Sequence, residues 1–532
     1  MNTIIKQITD GNTSLGIELG STRIKAVLLS DDGKMLAQGN HDWENELKDG
    51  VWTYSLERVS AGLKDSYAKL KADVKEKYGV TIKTFGSMGI SAMMHGYLAF
   101  DKDDNLLVPF RTWRNMITPD AAEKLTKEFN FNIPQRWSIA HLEQAIINGE
   151  SHVGDVAFFT TLSGYVHYKL TGEKVLGVGD ASGMFPIDST ANDYNQTMIE
   201  KYDELHAADG FGWKIRDILP KVLCAGENAG TLTAEGAKFL DVDGDLEAGI
   251  MCCAPEGDAG TGMVATNSIK EKTGNVSAGT SIFSMIVLEK ELQNVYEEID
   301  LVTTPDGKPV AMVHCNNCTS DIDAWVKLFS QVLDSFGCEY KKYELYDKLY
   351  NMALSADENC GGVVTYNLFS GETILDNIPE GRPMMVRMPD ADFSFPNLAK
   401  SLIYSSFATL KIGMDILTEK ENVKVEMLLG HGGLFKTKDV AQILMSSALS
   451  VPVSVMTTAA EGGAWGIATL AQFLKNKSEG ETLSEYLDNR VFASAEVSVK
   501  EPDAKEKAVF DRYIEKYAAG VEIQKTAINC LK

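Results

Sequence analysis

The sequence predicts an α/β protein built from two related domains. Two distant stretches, residues 16–25 and 274–283, share one pattern: a run of strand-forming residues is broken by a short turn of glycine and hydroxyl residues and then continues with apolar residues. Helical patterns follow each of these hairpins, and 532 residues are more than one hydrophobic core usually organises. The two halves therefore indicate two α/β domains with a cleft between them.

The first half begins with a predicted hairpin over residues 15–29 and a third strand near residues 35–38. Apolar residues at helical spacing, with charges between them, predict a helix over residues 56–78. Residues 86–100 are apolar and small, which predicts a strand that Met93-Met94-His95-Gly96 interrupts.

The second half begins near residue 265 and repeats this order, with a turn at residues 305–307 and a strand at 310–314 after its hairpin. The later predicted elements are helices over residues 397–419, 439–447, 464–474 and 504–525 and strands over residues 425–429 and 451–456.

The chemistry of the two hairpin turns indicates a phosphorylated ligand. Glycine and hydroxyl residues let backbone N–H groups and hydroxyls approach phosphate oxygens, because no Cβ stands in the way. Two such turns in one chain predict two lobes that hold one ligand from opposite sides. The pattern favours a phosphotransferase or an ATPase.

Composition disfavours nucleic acid and membranes as partners and bears on the state of the cysteines. The net charge of −24, from 75 acidic and 51 basic residues, disfavours binding to nucleic acid. An anionic ligand would need a bound cation or backbone dipoles to offset this field. No apolar run approaches the roughly 20 residues of a membrane helix. Eight cysteines in so long a chain do not make a disulfide framework, so we expect reduced thiols and a cytoplasmic location.

The motifs resemble those of the FGGY carbohydrate kinases, most closely the xylulokinase-like branch. The matching stretches are Gly16-Ile-Glu-Leu-Gly-Ser-Thr22, Met93-Met-His-Gly96, Leu170-Thr-Gly172, Asp180-Ala-Ser-Gly183, Gly257-Asp258, Ala278-Gly-Thr-Ser281, Phe369-Ser-Gly-Glu-Thr373, Gly432-Gly433 and Glu461-Gly-Gly-Ala464. Each is weak alone, but their order and spacing together are specific. The resemblance implies two ribonuclease-H-like (actin/hexokinase-like) domains, residues 1–264 and 265–532, with the sugar and ATP bound in the interdomain cleft.

Asp258 is the candidate general base. It lies among small residues at a predicted strand-to-helix turn, where a substrate can reach a carboxylate. The alternative is an aspartate that caps a helix beginning at Ala259. The resemblance favours the base, because the matching aspartate has that role in these kinases. We expect Glu256 to be solvated, with a helix cap or a contact to Mg²⁺ as alternatives.

Glu18 is the candidate metal ligand. The family has an aspartate at this position, which organises Mg²⁺ near the phosphates of ATP, and glutamate is one methylene longer. A carboxylate on an otherwise apolar strand is costly to bury unpaired, which favours a functional role.

Candidate phosphate-binding residues form three groups. They are Gly20, Ser21, Thr22 and Lys25; Gly279, Thr280 and Ser281; and Gly432 and Gly433. Lys25 is equally well interpreted as a surface residue at a strand edge, and the second group alone as a plain hairpin turn. We expect Phe435 to fill the core rather than contact the nucleotide. Residues 461–463 are expected to start a helix near the same pocket.

The candidate sugar-binding residues come from two motifs. Met94 and His95 match the sugar-side motif of xylulokinase-like members, although a lone histidine is more often structural. Trp113 offers an aromatic face, and Arg114 and Asn115 carry groups that bind hydroxyls. The family has aspartate where this chain has Asn115, and Asn or Gln at the position of Ala259. These differences indicate a sugar other than plain D-xylulose, or a rearranged pocket.

Three functions remain open from the sequence. The first is an ATP- and Mg²⁺-dependent sugar kinase, with ketopentoses such as xylulose or ribulose as leading substrates and a homodimer as the default assembly. The second is a catalytically degenerate sugar sensor. The third is a redox-linked ATPase of the actin fold, with Cys315 and Cys318 at an iron–sulfur cluster, although structural, reduced cysteines are the simpler interpretation.

Overall fold

The computed structural model of the protein describes residues 2–456 and 462–531. These residues divide into two compact units. The first contains residues 2–269, 300–310 and 462–494, and the second contains residues 270–299, 311–456 and 495–531. The first unit thus extends a few residues beyond the contiguous domain expected from sequence and takes in two later segments.

The strands in chain order are β1 (Thr13–Leu19), β2 (Arg23–Ser30), β3 (Met35–Asp42), β4 (Glu46–Lys48), β5 (Val51–Thr53), β6 (Ser87–Ala92), β7 (Leu98–Phe100), β8 (Phe158–Thr160), β9 (Val175–Gly177), β10 (Ile187–Asp188), β11 (Asp193–Tyr194), β12 (Lys221–Leu223), β13 (Asn228–Thr231), β14 (Met251–Cys253), β15 (Glu256–Gly257), β16 (Thr273–Ala278), β17 (Ile282–Val287), β18 (Ile299–Thr303), β19 (Pro309–Cys315), β20 (Val363–Tyr366), β21 (Met384–Arg387), β22 (Met427–His431), β23 (Val453–Met456) and β24 (Val497–Lys500).

The α-helices are α1 (Asn2–Thr9), α2 (Leu56–Tyr78), α3 (Pro119–Phe129), α4 (Ser138–Ile147), α5 (Leu162–Thr171), α6 (Val178–Ala181), α7 (Gln196–Leu205), α8 (Ile215–Ile218), α9 (Ala234–Leu240), α10 (Asp258–Ala265), α11 (Ser320–Ser335), α12 (Lys342–Ala353), α13 (Phe395–Asp415), α14 (Val440–Leu449), α15 (Gly463–Asn476), α16 (Leu483–Tyr486), α17 (Ala504–Ala519) and α18 (Val521–Cys530).

The first unit is organised around a sheet in the order β13-β14-β6-β1-β2-β3, and β15 also pairs with β6. Strand β1 pairs antiparallel with β2 and parallel with β6. Two glycines let helices approach this sheet closely. A Cβ at Gly16 would lie 2.1 Å from the carbonyl oxygen of Ala464 in α15, and one at Gly39 would lie 2.0 Å from that of Ser66 in α2. Helices therefore cover the sheet without a side-chain layer at these two crossings.

The sheet of the second unit repeats this topology. Its strands run in the order β19-β17-β16-β22-β23-β24. Strand β16 pairs antiparallel with β17 and parallel with β22, as β1 does with β2 and β6. The two predicted hairpins, and the repeat of the first half's strand order in the second, are thereby confirmed.

Most predicted elements are present with shifted ends. The helix over residues 56–78 is confirmed as α2, with Ser55 as its N-cap and Gly79 in the left-handed conformation at its end. The predicted helix over residues 504–525 is wrong in one respect, because it is two helices that meet at Gly520. A Cβ at this position would lie 1.9 Å from the Tyr366 hydroxyl oxygen, so packing against Tyr366 requires glycine at the junction.

A buried lysine ties α2 to the loop after α9. The Lys71 ammonium lies 2.7 Å from Asp241 Oδ1 and 3.0 Å from carboxylate oxygens of both Asp243 and Asp245. The side chains of Lys71 and Asp241 are 9% and 2% exposed. Asp241 also accepts the backbone N–H groups of Asp243, Asp245 and Leu246.

We expect Lys71→Met to destabilise the protein by about 3 kcal/mol, because it leaves the Asp241 carboxylate buried without its cation. Lys69→Met is the matched control on the same helix. Its ion pair with Asp65 is exposed, so the loss should stay below about 1 kcal/mol. Chemical denaturation of both variants measures the difference, and equal losses would contradict a specific role for Lys71.

Candidate active site

Asp258 lies where two motifs meet. Strand β15 pairs in parallel with β6, with Gly257 opposite Ala92, and the chain enters α10 at Asp258. The backbone N–H of Met94 donates to Asp258 Oδ1 at 3.2 Å. Gly257, and not Asp258, is the N-cap residue of α10. The structure therefore places the Asp258 carboxylate beside the 93–96 motif.

The surroundings of Asp258 suit a group that takes up a proton. The residue retains solvent-accessible surface, yet desolvation by the surrounding protein raises the pKa of its carboxyl. Backbone N–H groups of Met94, Ala259 and Asp258 itself act in the opposite direction and stabilise the carboxylate. A reachable carboxylate with a raised pKa is a stronger base than an ordinary aspartate.

Glu18 is held by the N-terminus of a helix. Its Oε2 accepts the backbone N–H of Ala464 at 3.1 Å. A Cβ at Gly463 would lie 2.5 Å from Glu18 Oε1, so glycine makes room for the carboxylate. Across the hairpin, Glu18 lies opposite Lys25 in the register of β1 and β2. Lys25 is thus on an interior strand of the sheet, which contradicts its interpretation as an edge residue.

The carboxyl of Glu18 is electrostatically coupled to Asp258. Burial, followed by the negative charge of Asp258, raises the pKa of Glu18 to about 7. The Ala464 N–H and the charge of Lys25 oppose this shift. A cation near Glu18 and Asp258 would relieve the repulsion between them.

The expectation that Glu256 is solvated is wrong. Its side chain is 1% exposed, and its two carboxylate oxygens accept the backbone N–H groups of Gly179 and Asp180 at 3.3 and 2.9 Å. A Cβ at Gly177 would lie 2.1 Å from Glu256 Oε1, and one at Gly179 would lie 2.5 Å from Oε2. Because Gly177 and Gly179 have no Cβ, the Glu256 carboxylate has space between them. Burial holds the pKa of Glu256 well above its usual range.

Asp180 was not singled out as a site residue from sequence, although it lies in a matching motif. Its Oδ2 accepts the Thr161 hydroxyl at 2.6 Å and also that of Ser163. Its Oδ1 is buried and has no hydrogen-bond partner among the described residues. Burial raises its pKa to about 7, the two hydroxyls oppose the shift, and the charge of Asp258 adds to it. Asp180 is therefore part of the electrostatic surroundings of Asp258.

His95 is neutral and has a defined tautomer. Its Nδ1 lies 3.1 Å from the carbonyl oxygen of Gly183. Because a carbonyl only accepts, Nδ1 carries the hydrogen and Nε2 is left as an acceptor. Burial, with a smaller effect of Arg136, lowers the pKa of His95 to about 3. A Cβ at Gly183 would lie 2.6 Å from Nδ1, which explains the glycine of the 180–183 motif.

The residues of the tryptophan motif have different surroundings. Trp113 is 38% exposed. The Arg114 guanidinium lies 3.7 Å from the ring centre of Trp52 and donates to Asn45. Asn115 is 1% exposed, accepts the Trp52 N–H and donates to the Trp52 carbonyl, both at 2.8 Å. Its amide thus fixes the position of the loop that presents Trp113 and Arg114.

The first turn, residues 20–22, is held through its carbonyl groups. The Gly20 carbonyl accepts the Trp43 indole N–H at 2.7 Å, and the Ser21 carbonyl accepts the Tyr54 hydroxyl at 2.6 Å. The two rings stack on each other. Ser21 and Thr22 are exposed, so their hydroxyls are accessible to a ligand.

The second turn, residues 279–281, is built in the same way. The Gly279 carbonyl accepts the backbone N–H of Thr319 at 3.0 Å, and the Thr280 carbonyl accepts that of Cys318 at 2.9 Å. Thr280 is exposed at the tip. Both turns therefore have carbonyls held by the protein and an accessible hydroxyl side chain.

Gly432 and Gly433 follow β22 beside the second turn. Gly432 has φ of 101°, and a Cβ there would lie 2.4 Å from the carbonyl oxygen of Ala278. Only glycine allows this conformation and this backbone contact. Phe435 is buried against Gly430, which confirms its expected core role. Of the 461–463 motif, Glu461 lies outside the described residues, and Gly463 begins α15.

The cysteine motif of the second unit is buried. Cys315 and Cys318 are 0% and 1% exposed, and burial raises the pKa of both thiols. No group of three or more His, Cys, Asp or Glu side chains among residues 2–456 and 462–531 is arranged to hold a metal ion. A cluster shared between subunits would need these two thiols at the surface, and their burial argues against the iron–sulfur alternative.

No helix in the part of the chain that the structure describes is both long and apolar enough to span a membrane.

Comparison with known proteins identifies the family. Residues 13–243 match the N-terminal domain of the FGGY family of carbohydrate kinases, and residues 274–474 match its C-terminal domain. The xylulose kinase of Haemophilus influenzae is 22% identical over 410 residues, which cover 75% of this chain and 77% of that protein.

Solved structures share the fold. A ligand-bound xylulose kinase from Lactobacillus acidophilus superposes with a TM-score of 0.77 at 16% identity, covering 97% of this chain and 99% of that one. A gluconate kinase from the same organism gives 0.75 at 17% identity, covering 97% and 98%. This likeness confirms the predicted two-domain actin/hexokinase-like fold. Together with the matched domains, it leads to one assignment: the protein belongs to the FGGY family of carbohydrate kinases.

Proposed function

We propose that the protein transfers the γ-phosphoryl group of ATP to a hydroxyl of a sugar, with Asp258 as the general base. The observation that carries this proposal is the accessible carboxylate of Asp258, with a raised pKa, beside the 93–96 motif. Asp258 accepts the proton of the sugar hydroxyl, the hydroxyl oxygen bonds to the γ-phosphorus, and the bond to ADP breaks.

The nucleotide is proposed to bind to the two turns and the glycine pair. Gly20, Ser21, Thr22 and Lys25 in the first unit, and Gly279, Thr280, Ser281, Gly432 and Gly433 in the second, are the candidate ligands of its phosphates. Accessible hydroxyls and glycine backbone suit phosphate oxygens, and a cation at Lys25 adds to the attraction. The fixed carbonyls of each turn support this proposal, because a preorganised turn loses little entropy on binding.

The residues around Glu18 fit a magnesium ion. Mg²⁺ is commonly held by one or two carboxylates together with substrate phosphates. Glu18 and Asp258 are coupled carboxyls, and the protein holds Glu18 through Oε2. We propose Glu18 as the protein ligand of Mg²⁺, which would neutralise charge on the phosphates.

A ketopentose such as xylulose or ribulose is the proposed sugar. The relatives described as xylulose kinases support it, whereas the gluconate kinase keeps sugar acids as an alternative. Met94, His95, Trp113 and Arg114 are the proposed sugar contacts. Asn115 is proposed to act by holding the Trp113 loop. Since His95 is neutral with Nε2 as an acceptor, it suits a hydroxyl donor and not a carboxylate. A ketose and a sugar acid both carry such hydroxyls, so the preference for a ketose rests on the xylulose kinase relatives.

An ADP-release assay with a panel of ketoses, polyols and gluconate tests this function. We expect ATP-dependent turnover with a ketopentose and little with gluconate. Saturable sugar binding without turnover on any substrate would instead support the degenerate sensor.

Asp258→Asn should lower kcat by ~10²–10⁴ with little change in sugar binding, because the amide cannot accept the proton. Asp49→Asn, at an exposed position in the same unit, is the control and should behave as the wild type. Steady-state kinetics and sugar binding measure both effects. Full activity of Asp258→Asn would refute the assignment.

Glu18→Gln should raise the Mg²⁺ concentration needed for half-maximal activity by about tenfold. The amide oxygen can still accept the Ala464 N–H, so α15 keeps its partner, while the negative charge is lost. Magnesium titrations at saturating ATP and sugar measure the shift. An unchanged magnesium requirement would show that Glu18 is not a ligand.

Asp180→Asn should become relatively more stable than the wild type as pH rises from about 4 to about 7. Folding raises the pKa of Asp180 from 3.8 to about 7, so between these values the folded wild type binds the proton more tightly than the unfolded chain. The wild type therefore loses stability across this range, and asparagine does not titrate. Melting temperatures of both proteins from pH 4 to 8 measure the divergence, and parallel curves would contradict it.

A further inference from the structure

The motif Phe369-Ser-Gly-Glu-Thr373 has no role in the proposed reaction, yet it contains a buried carboxylate. Glu372 is 1% exposed. Its Oε2 accepts the backbone N–H of Asn316 and a side-chain N–H of Asn317, both at 3.0 Å. Its Oε1 is buried without a hydrogen-bond partner among the described residues.

Burial of this carboxyl carries an energetic cost. Burial raises the pKa of Glu372 to about 7, and the hydrogen bonds from Asn317 and Asn316 only partly oppose the shift. The position lies far in sequence from the segment that it binds, so the bonds join two separate loops of the second unit. The hydrogen bonds of this buried carboxyl fix one loop relative to the other.

Further hydrogen bonds lock these two loops together. Asn317 Oδ1 accepts the backbone N–H groups of Phe369 and Ser370 at 2.8 and 3.0 Å. The side chain of Asn316 donates to the Gly371 carbonyl at 2.8 Å. Both asparagines are therefore held by the 369–372 segment.

The next two residues of the same loop support the second turn. The backbone N–H of Cys318 donates to the Thr280 carbonyl at 2.9 Å, and that of Thr319 donates to the Gly279 carbonyl at 3.0 Å. The Thr319 hydroxyl also donates to the Gly279 carbonyl at 2.8 Å. Glu372 is thus hydrogen-bonded to the first two residues of the 316–319 loop, and the last two residues of the same loop are hydrogen-bonded to the second turn.

We infer that Glu372 is a positioning residue for the second turn, acting through the 316–319 loop. This inference rests on the proposed function, in which the turn binds the phosphates of ATP. With Glu372 in place, the amides of Cys318 and Thr319 hold the turn carbonyls, and the glycine and hydroxyl groups keep the arrangement that receives phosphate oxygens. Without it, the loop loses its acceptor and the turn is no longer preorganised.

Three variants separate positioning from general stability. Glu372→Met fills the same volume without an acceptor, whereas Glu372→Gln keeps an oxygen that can accept both N–H groups. Glu421→Met is the matched control. Glu421 is also buried in the second unit, and its carboxylate accepts the backbone N–H groups of another loop, those of Gln293 and Asn294.

Two readouts apply to each variant of the full-length protein. Hydrogen exchange of the peptide that covers residues 316–320 measures how often the loop opens, and this measurement needs no ATP. The KM values for ATP and for the sugar report the site. In Glu372→Met we expect hydrogen exchange at least ~10-fold faster in this peptide. We also expect the KM for ATP to rise ~10-fold while the KM for sugar is unchanged. A tenfold change corresponds to the loss of about one charge-assisted hydrogen bond. Glu372→Gln should restore most of both effects, and Glu421→Met should show neither.

The outcomes distinguish the inference from the function on which it rests. Unchanged exchange in Glu372→Met overturns the coupling of Glu372 to the loop. Faster exchange with an unchanged KM for ATP overturns its positioning role. If the wild type neither binds nor turns over ATP, the proposed function fails, and the exchange experiment alone then decides whether Glu372 holds the loop.

Discussion

The requirement that a buried carboxylate receive hydrogen bonds shapes both units of this protein. In the first unit, Glu256 is bound by the amides of Gly179 and Asp180, and this holds the 180–183 motif against the strand that leads to Asp258. In the second unit, Glu372 is bound by Asn316 and Asn317, which belong to the loop that supports the second turn. Each carboxylate costs free energy to bury, and each holds a segment next to a proposed functional residue or turn.

Glycines provide the space for these contacts. Gly177 and Gly179 make room for the Glu256 carboxylate, Gly463 for Glu18, and Gly183 for the His95 ring. In each case a Cβ would overlap the carboxylate or the ring. In this chain, several glycines of the matching motifs therefore leave room for protein side chains near the proposed site, in addition to the proposed binding of phosphate by others.

The acidic groups of the first unit form an electrostatic set. Burial raises the pKa values of Glu18 and Asp180, which lie on different elements, and the charge of Asp258 raises both further. The two pKa values are thereby brought to about 7, and the repulsion between the carboxylates creates a local preference for a cation. The proposed base and the proposed metal ligand are therefore parts of one arrangement, in which the charge of Asp258 contributes to the raised pKa of Glu18.

Local sequence determined the two hairpins, the helix over residues 56–78 and the order of the strands, because these follow from periodicity and from glycine–hydroxyl turns whose effect is confined to a few neighbouring residues. The resemblance of the motifs added Asp258, Glu18 and the turn residues as candidates. Only the tertiary structure decided three further features. Glu256 is buried, Glu18 contacts α15, and Asn115 is buried against Trp52, unlike the exposed Trp113. Each depends on groups distant in sequence, such as Gly179, Ala464 and Trp52, whose proximity no local pattern encodes. A sequence does not show whether water or the N-terminus of a helix donates hydrogen bonds to a carboxylate. Only the fold determines this, because the donors come from distant parts of the chain.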